Sequence, residues 1–571
     1  MGPAALGLTP PSAAVPPTLS RAPDQAAAPQ LIRDARAWLG FAGGGGNVSV
    51  AHAGAVGPET IEDPRFVFEG DQGRSFVLYG QTSLVVSEGL IIGVGFETGF
   101  GGSARSGAAG DSADYGVRVP DGPGHGTDSG ADHARDEDSR PTGSDALIAI
   151  SRMDGSLVWD ASIPVALLDS WSAPAIDPSG RTVVVGSGST LSAFDLDTGD
   201  ARWSTDLGRI IVNASPTITD DRPGRNRVFI TDYSFASSVG GRLFCVNLDP
   251  FDAARNPFEP GAIVWSVELG GETSGNTAGY VDGTVYVSTT SGGDSWDQGT
   301  ILAYEADATL TPAPEWRYQL DNPSGFFSGV AIKGNGVYAS SYAFTGGQFS
   351  ARTVRVDRHT GAQVWSVPTN RTDSIPVPIG GGLVLVSGGV PFSSQLPSFG
   401  SVPSVQLIFE SPWGDAHRLW DTAIDTLVDD NGNGAWDPGE AFLSLGGWTI
   451  QPAVMEVDGG AFAYVGVSPD PVGSLGGFFG ASPAMAMIDL TKMPDDGGFV
   501  VEWNEGSGAS PAISKGELFS VGFDGVFAFG APTMPRGQIL ALWGSGGLPD
   551  LNADGTVDVH DVRIALEHAE P

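Results

Sequence analysis

From Ser172 to Trp203 the chain reads "SAPAIDPSGRTVVVGSGSTLSAFDLDTGDARW", in which short apolar runs alternate with clusters of Gly, Ser and Asp. Runs this short, rich in β-branched residues and punctuated by turn formers, predict antiparallel strands joined by hairpins. The closing phrase "AFDLDTGDARW" (Ala193 to Trp203) returns as "RVDRHTGAQVW" (Arg355 to Trp365) and more loosely as "AISRMDGSLVW" (Ala149 to Trp159). In each copy Gly is the seventh residue and Trp the eleventh. A fourth copy keeps only the ending, "GAIVW" at Gly261 to Trp265.

Reading outward from each Trp completes a four-strand unit. Its openings fall near Thr82, Ser172, Ala214, Gly275, Ser328, Ile375, Ile450 and Ala509, and its closing Trp at 159, 203, 265, 316, 365, 420 and 503. The eighth unit has no Trp strand of its own, and "RFVFEG" at Arg65 to Gly70 is the natural supplier. A single unit of this length cannot cover both its faces, whereas a ring of such sheets stacks each on the next. The predicted fold is therefore all-β, a β-propeller of eight blades, with seven as the alternative because the first and eighth units rest on partial copies. In this reading the Asp and Thr cap a tight turn, Gly supplies the positive φ of a bulged hairpin, and Trp packs between blades.

Three segments stand outside the repeat. Residues 1–63 are rich in Ala, Pro and Gly and read as a leader or linker, the propeller spans 64–533, and 534–571 form a linker with a small terminal module. Inside the first unit, 98–144 is an acidic, Gly-rich insertion.

Composition narrows the partners. Among 571 residues, 67 acidic against 29 basic side chains leave a formal net charge of −38, and the lysines are only Lys333, Lys492 and Lys515. Such a surface repels phosphate backbones and anionic lipid, which excludes nucleic acid as a partner. Adaptation to salt and a biased genome composition both account for the scarcity of lysine. The single cysteine, Cys245, rules out an internal disulfide and reads as a buried strand thiol. No apolar run is long enough to span a membrane. The first positive charge is Arg21, so the N-terminus does not follow the secretory signal pattern. No G-x-S-x-G, H-E-x-x-H or Walker A sequence is present.

The repeat resembles the pyrroloquinoline-quinone-type β-propeller repeat, most specifically at Asp195, Thr198, Gly199 and Trp203 and at Asp357, Thr360, Gly361 and Trp365. That family includes calcium-dependent quinoprotein dehydrogenases and non-catalytic scaffolds such as outer-membrane assembly lipoproteins. The resemblance implies the fold, with pyrroloquinoline quinone as a possible cofactor. It departs from the dehydrogenases in lacking a vicinal cysteine pair.

Two acidic loops have calcium spacing. "DLNADGTVDVHD" places Asp550, Asn552, Asp554, Thr556, Asp558 and Asp561 at alternating inward positions around Gly555. It resembles a single dockerin-type loop, with Asp where an EF-hand has Glu. "DDNGNGAWDPGE" places Asp429, Asn431, Asn433, Ala435 (through its carbonyl), Asp437 and Glu440 likewise. The expectation is a calcium-stabilised, non-catalytic propeller, extracellular, cell-surface or periplasmic, that binds a protein or glycan through its loops. The alternative is a quinone-dependent dehydrogenase of alcohols or sugars.

Overall fold

The computed structural model describes residues 38–98 and 145–530 apart from short stretches, the longest being 50–57, 391–400 and 469–481. Residues 1–37, 99–144 and, save for isolated positions, 531–571 lie outside the described set. Eight antiparallel sheets follow one another along the chain, as the repeat predicts. Blade 1 opens at Val85–Val86, blade 2 at Ala175–Asp177, blade 3 at Thr217–Ile218 and blade 4 at Gly279–Val281. Blades 5 to 8 open at Ala331–Lys333, Val377–Pro378, Ala453–Val457 and Ser507–Ser514. These opening strands meet one another from blade to blade and so line the axis.

Blade 2 has three strands by segment count but four in shape. Its middle segment, Thr182–Asp195, turns at Gly188 (φ 61°), and the Leu196 amide donates to the Arg181 carbonyl, so the segment doubles back on itself. Blade 1 is widened by the short strands Gly70–Asp71 and Arg74–Leu78.

The predicted ring closure is present. Phe66–Phe68 pairs antiparallel with Gly525–Phe529, Phe66 opposite Ala528, and supplies the outer strand of blade 8. Beneath this junction the fully buried Glu517 carboxylate faces two guanidiniums, those of Arg65 and Arg152, each at 2.5 Å.

The repeated phrase behaves as its chemistry dictates. Asp195 Oδ1 accepts from the amides of Asp197 (2.9 Å) and Thr198 (3.1 Å), and Asp357 Oδ1 from those of His359 (3.1 Å) and Thr360 (2.9 Å). The Arg202 guanidinium, with these amides, holds the Asp195 carboxyl down at about 2. Gly199 and Gly361 sit at φ 73° and 69°, and the pairing slips by one residue just beyond, between Ala201 and Trp203 and between Arg355 and Val356. Trp159, Trp203 and Trp316 then lie on the turns of the next blades. A Cβ on Gly199 would stand 2.6 Å from the Trp159 ring, one on Gly261 3.0 Å from Trp203, and one on Gly361 2.6 Å from Trp316. At the junction of blades 8 and 1 Phe66 takes this place, 2.5 Å from a Cβ on Gly155.

One segment differs from the sequence reading. The described part of 1–63 is no free linker: Trp38, Ala42, Asn47, Ser49 and Ile61 are buried in the ring. Its Gly-rich sequence carries no strand or helix period, so its place could be set only by the walls that receive it.

Candidate functional site

In a meander of four strands, the second and fourth connections emerge at one end and the first and third at the other. The Thr-Gly turns occupy the third connection, hence one face of the ring. The strands that flank the longest insertions end at the opposite face. Residues 99–144 leave blade 1 between its second and third strands, and the 429–440 loop lies between the outer strand of blade 6 (Ala416–Asp421) and the opening strand of blade 7. The third connection of blade 3, 248–262, is also extended, but the longest connections leave from this second face, and in repeat folds the face that carries the insertions is often the binding face.

The axis is crossed by the chain itself. Trp38 bridges to Val86 of blade 1, and the Leu39 carbonyl accepts from Ile176 of blade 2 at 2.7 Å. The Gly46 carbonyl accepts from Ile332 of blade 5, and the Asn47 side-chain amide donates to the Ala278 and Val330 carbonyls of blades 4 and 5. Ser49 accepts from Val454 of blade 7 at 2.9 Å. A segment bonded to opposing walls must span the channel. Beside it, against blades 2 and 3, lies a cavity of about 30 Å³. That is room for a water. A ligand pocket takes several hundred Å³, so the cavity beside this segment does not fit the quinone that the resemblance implies.

Around the mouth, on that face, five loops assemble an aromatic cluster. Phe235 lies 4.6 Å from Trp296 and 6.2 Å from Phe344, ring to ring. Tyr342 lies 5.0 Å from Phe344, 5.7 Å from Trp448 and 5.9 Å from Phe327. Trp296 donates through Nε1 to Glu272 at 2.7 Å. The buried Arg371 guanidinium donates to the Gly346 carbonyl at 2.6 Å and stands 5.7 Å from the Tyr342 ring centre. Asp373 is held by its amide, which donates to the Trp448 carbonyl at 2.7 Å. Its Oδ1 is buried with no hydrogen-bond partner among the described residues, and burial pushes the carboxyl well above the usual carboxylate range. Burial, with the charges of Asp373 and Glu272, pushes the Tyr233 hydroxyl up to about 12.

Sequence reasoning missed this cluster because no local spacing announces it. Its one signal is aromatic residues placed in Gly/Ser loops, as in "SFASS", "SGFFSG" and "SYAFTGG". Cys245, by contrast, is the buried strand thiol expected, and burial raises its pKa.

In the 429–440 loop, five of the six expected ligands are described, and they bond to one another and to the loop's own amides. Asp437 Oδ2 accepts from the side-chain amides of Asn431 and Asn433 at 2.6 Å each, and Asp429 Oδ1 accepts from the Gly432 amide at 2.6 Å. Glu440 accepts from the amides of Asp430 and Asp437. Ala435 lies outside the described residues, as do Asp550, Asn552, Asp554, Thr556, Asp558 and Asp561. Among the described residues no group of three His, Cys, Asp or Glu side chains is placed to hold a metal, and no helix is long and apolar enough to cross a membrane.

A sequence profile of the outer membrane protein assembly factor BamB family matches residues 124–249. No curated protein sequence matches the chain. Among solved structures the chain is similar to BamB from Moraxella catarrhalis, at 16% identity and TM-score 0.40, over 67% of this chain and 90% of that one. It is similar to a europium-containing methanol dehydrogenase at 12% identity and TM-score 0.45, over 78% and 95% of the two chains. Similarity to Sqt1 from Chaetomium thermophilum is 13% in identity and 0.42 in TM-score, over 82% and 98%.

Proposed function

We propose that this quinoprotein-like propeller is a non-catalytic binding scaffold that works outside the cell, on its surface or in the periplasm, and takes a protein or glycan on the face that carries its insertions. The observation that carries the reading is the N-terminal segment across the axis: a propeller that threads its own chain through its channel has given up the recess in which a cofactor would sit. Its acidic composition and the long connections on that face support presentation of loops rather than turnover.

Calcium belongs to the proposal as a brace. With an ion at the centre of the 429–440 loop, the amides of Asn431 and Asn433 would turn over so that oxygen replaces nitrogen toward Asp437, an exchange that costs only a side-chain flip. The loop at 550–561 would bind calcium by the same spacing. Millimolar calcium outside the cell suits weak loops of this kind. A chelator should lower the melting temperature, and Glu440→Ala should remove part of that response. An unchanged melting curve would remove the brace.

The scaffold reading is tested by equilibrium binding of pyrroloquinoline quinone in calcium and in chelator, read by quenching of Trp fluorescence, with dye-linked oxidation of alcohols and aldoses alongside. No binding and no oxidation are expected. Saturable, calcium-dependent quinone binding at one site would replace the scaffold with a dehydrogenase.

A further inference from the structure

Two neighbouring third-connection turns depart from the repeat in the same way. Blades 2 and 5 turn within 196–200 and 358–362, whereas blades 3 and 4 run from 248 to 262 and from 306 to 315. Both longer turns rest on the apolar cluster around Trp265 that joins these blades, one through Phe258 and the other through Ala308. The Thr311 hydroxyl reaches the Ser266 carbonyl on the outer strand of blade 3 at 3.5 Å, so the second turn adjoins the blade that carries the first.

Interior polar bonds hold the first turn in shape. The buried Arg227 guanidinium donates to the side-chain oxygens of Asn247 at 2.5 Å and Asn256 at 3.1 Å. The Asn247 amide donates in turn to the Asp249 and Phe258 carbonyls, and the Asn256 amide to those of Asp249 and Pro250. A backbone anchored at so many points keeps its tip in water. Phe251 is 51% exposed there, Leu310 81% in the second turn, and Ile263 42% where the first turn enters its outer strand. One apolar side chain in water is ordinary, but several on adjoining anchored turns mark an interaction surface.

Charge selects the occupant. Over 249–262 and 305–315 the exposed charged side chains are Asp252, Glu259, Glu305 and Glu315 against Arg255 alone. Arg222 and Arg225 pair with Asp307. A second copy would bring the same acids and a net charge of −38 to the contact, and anionic lipid would be repelled in the same way. We propose that these two turns dock a segment of a partner protein in which apolar side chains are flanked by Lys or Arg, the apolar ones meeting Phe251, Leu310 and Ile263 and the cations meeting the carboxylates. This is a second surface, on the face opposite the insertions.

The probe is a synthetic peptide of alternating Leu and Lys, titrated into the full-length protein in calcium at about 0.15 M salt, where long-range attraction is screened, and followed by fluorescence anisotropy. It should saturate, and peptides with Ser for Leu or Glu for Lys should not. Phe251→Ser combined with Leu310→Ser, both at exposed positions, should weaken binding roughly tenfold or more. Trp413→Ser combined with Met493→Ser, exposed on the third-connection turns of blades 6 and 7, should leave it unchanged. Equal binding of the Ser and Leu peptides would overturn the proposal by reducing it to bulk charge, as would absence of saturation or indifference to the Phe251 and Leu310 changes. Sedimentation showing a dimer that the same double variant abolishes would make a second copy the occupant instead. Tighter binding to phosphatidylcholine vesicles than to the peptide, lost in that variant, would make it a lipid surface. Quinone binding would remove the proposed scaffold role without touching this result.

Discussion

Gly199 carries two constraints that a sequence motif records as one letter. Its φ of 73° is a region where an L side chain costs about 1–2 kcal/mol. A Cβ there would also stand 2.6 Å from the Trp159 ring, and overpacking of that kind costs about 1–3 kcal/mol. Gly199→Ala should therefore lower unfolding free energy by about 2–5 kcal/mol in urea titration, while Gly208→Ala, at φ 64° with open space around it, should lose only the backbone part. Asp373 poses the opposite case, a residue whose removal should stabilise. Its carboxyl protonates at higher pH in the folded chain than in the unfolded one, because burial disfavours the charge. Folding then takes up a proton between the unfolded value, about 4, and the raised folded one. The stability it contributes falls as pH rises through that window. Asp373→Asn should melt above the parent at pH 7, and the gain should vanish as pH approaches 4. A lower melting point at pH 7 would mean that the carboxylate is satisfied after all.

At the scale of the element, the outer hairpin explains why so much of the ring was legible. Its Asp, Thr, Gly and Trp act within eleven residues, so Trp159, Trp203, Trp265, Trp316, Trp365, Trp420 and Trp503 all fall on outer strands where the phrase places them. The same locality exposes an exception. Blade 8 takes its outer strand from the N-terminus and has no third-connection turn to offer, and Trp503 of blade 7 is 41% exposed whereas Trp316, over Gly361, is 9% exposed. Trp316 also donates through Nε1 to the Arg358 carbonyl at 2.8 Å. Trp316→Ala should cost about 3–5 kcal/mol and Trp503→Ala about 1 kcal/mol or less, read as midpoints in urea. Equal losses would mean that the turn contributes nothing to the indole's hold. What stayed hidden was non-local. The channel segment reads as linker because Gly43, Gly44 and Gly46 break any period, and Phe235 and Phe344, far apart in the chain, meet only because the ring brings their loops together. Of the two loops read from spacing as calcium sites, 429–440 lies among the described residues save Gly434, Ala435, Pro438 and Gly439, and its spacing alone does not say what an ion there would brace.

At the scale of the whole molecule the ring has one seam. Seven junctions join blades that follow in sequence, and the eighth joins residues 66–68 to 525–529. There the chain is closed by three residue pairs, by Phe66 in the place of Trp, and by Glu517 between Arg65 and Arg152. Pairing of a buried carboxylate with two guanidiniums adds little net stability over an apolar core, but removing one charge leaves the others buried without compensation, at a cost of about 3–5 kcal/mol. Glu517→Gln keeps the shape and removes the charge, so its effect isolates the electrostatic part of the closure. If the seam opens as its own unit, amides of 66–68 and 525–529 should lose hydrogen-exchange protection by a factor of roughly 10² or more, while those of blades 3 to 6 keep theirs. That outcome would make the N-terminal strand a latch whose release leaves six or seven blades folded, with the channel segment on the released side. Loss of protection spread evenly round the ring would mean instead that the propeller unfolds as one cooperative body, in which the segment across the axis, bonded to blades 1, 2, 4, 5 and 7, ties the walls together as firmly as the strands of each blade do.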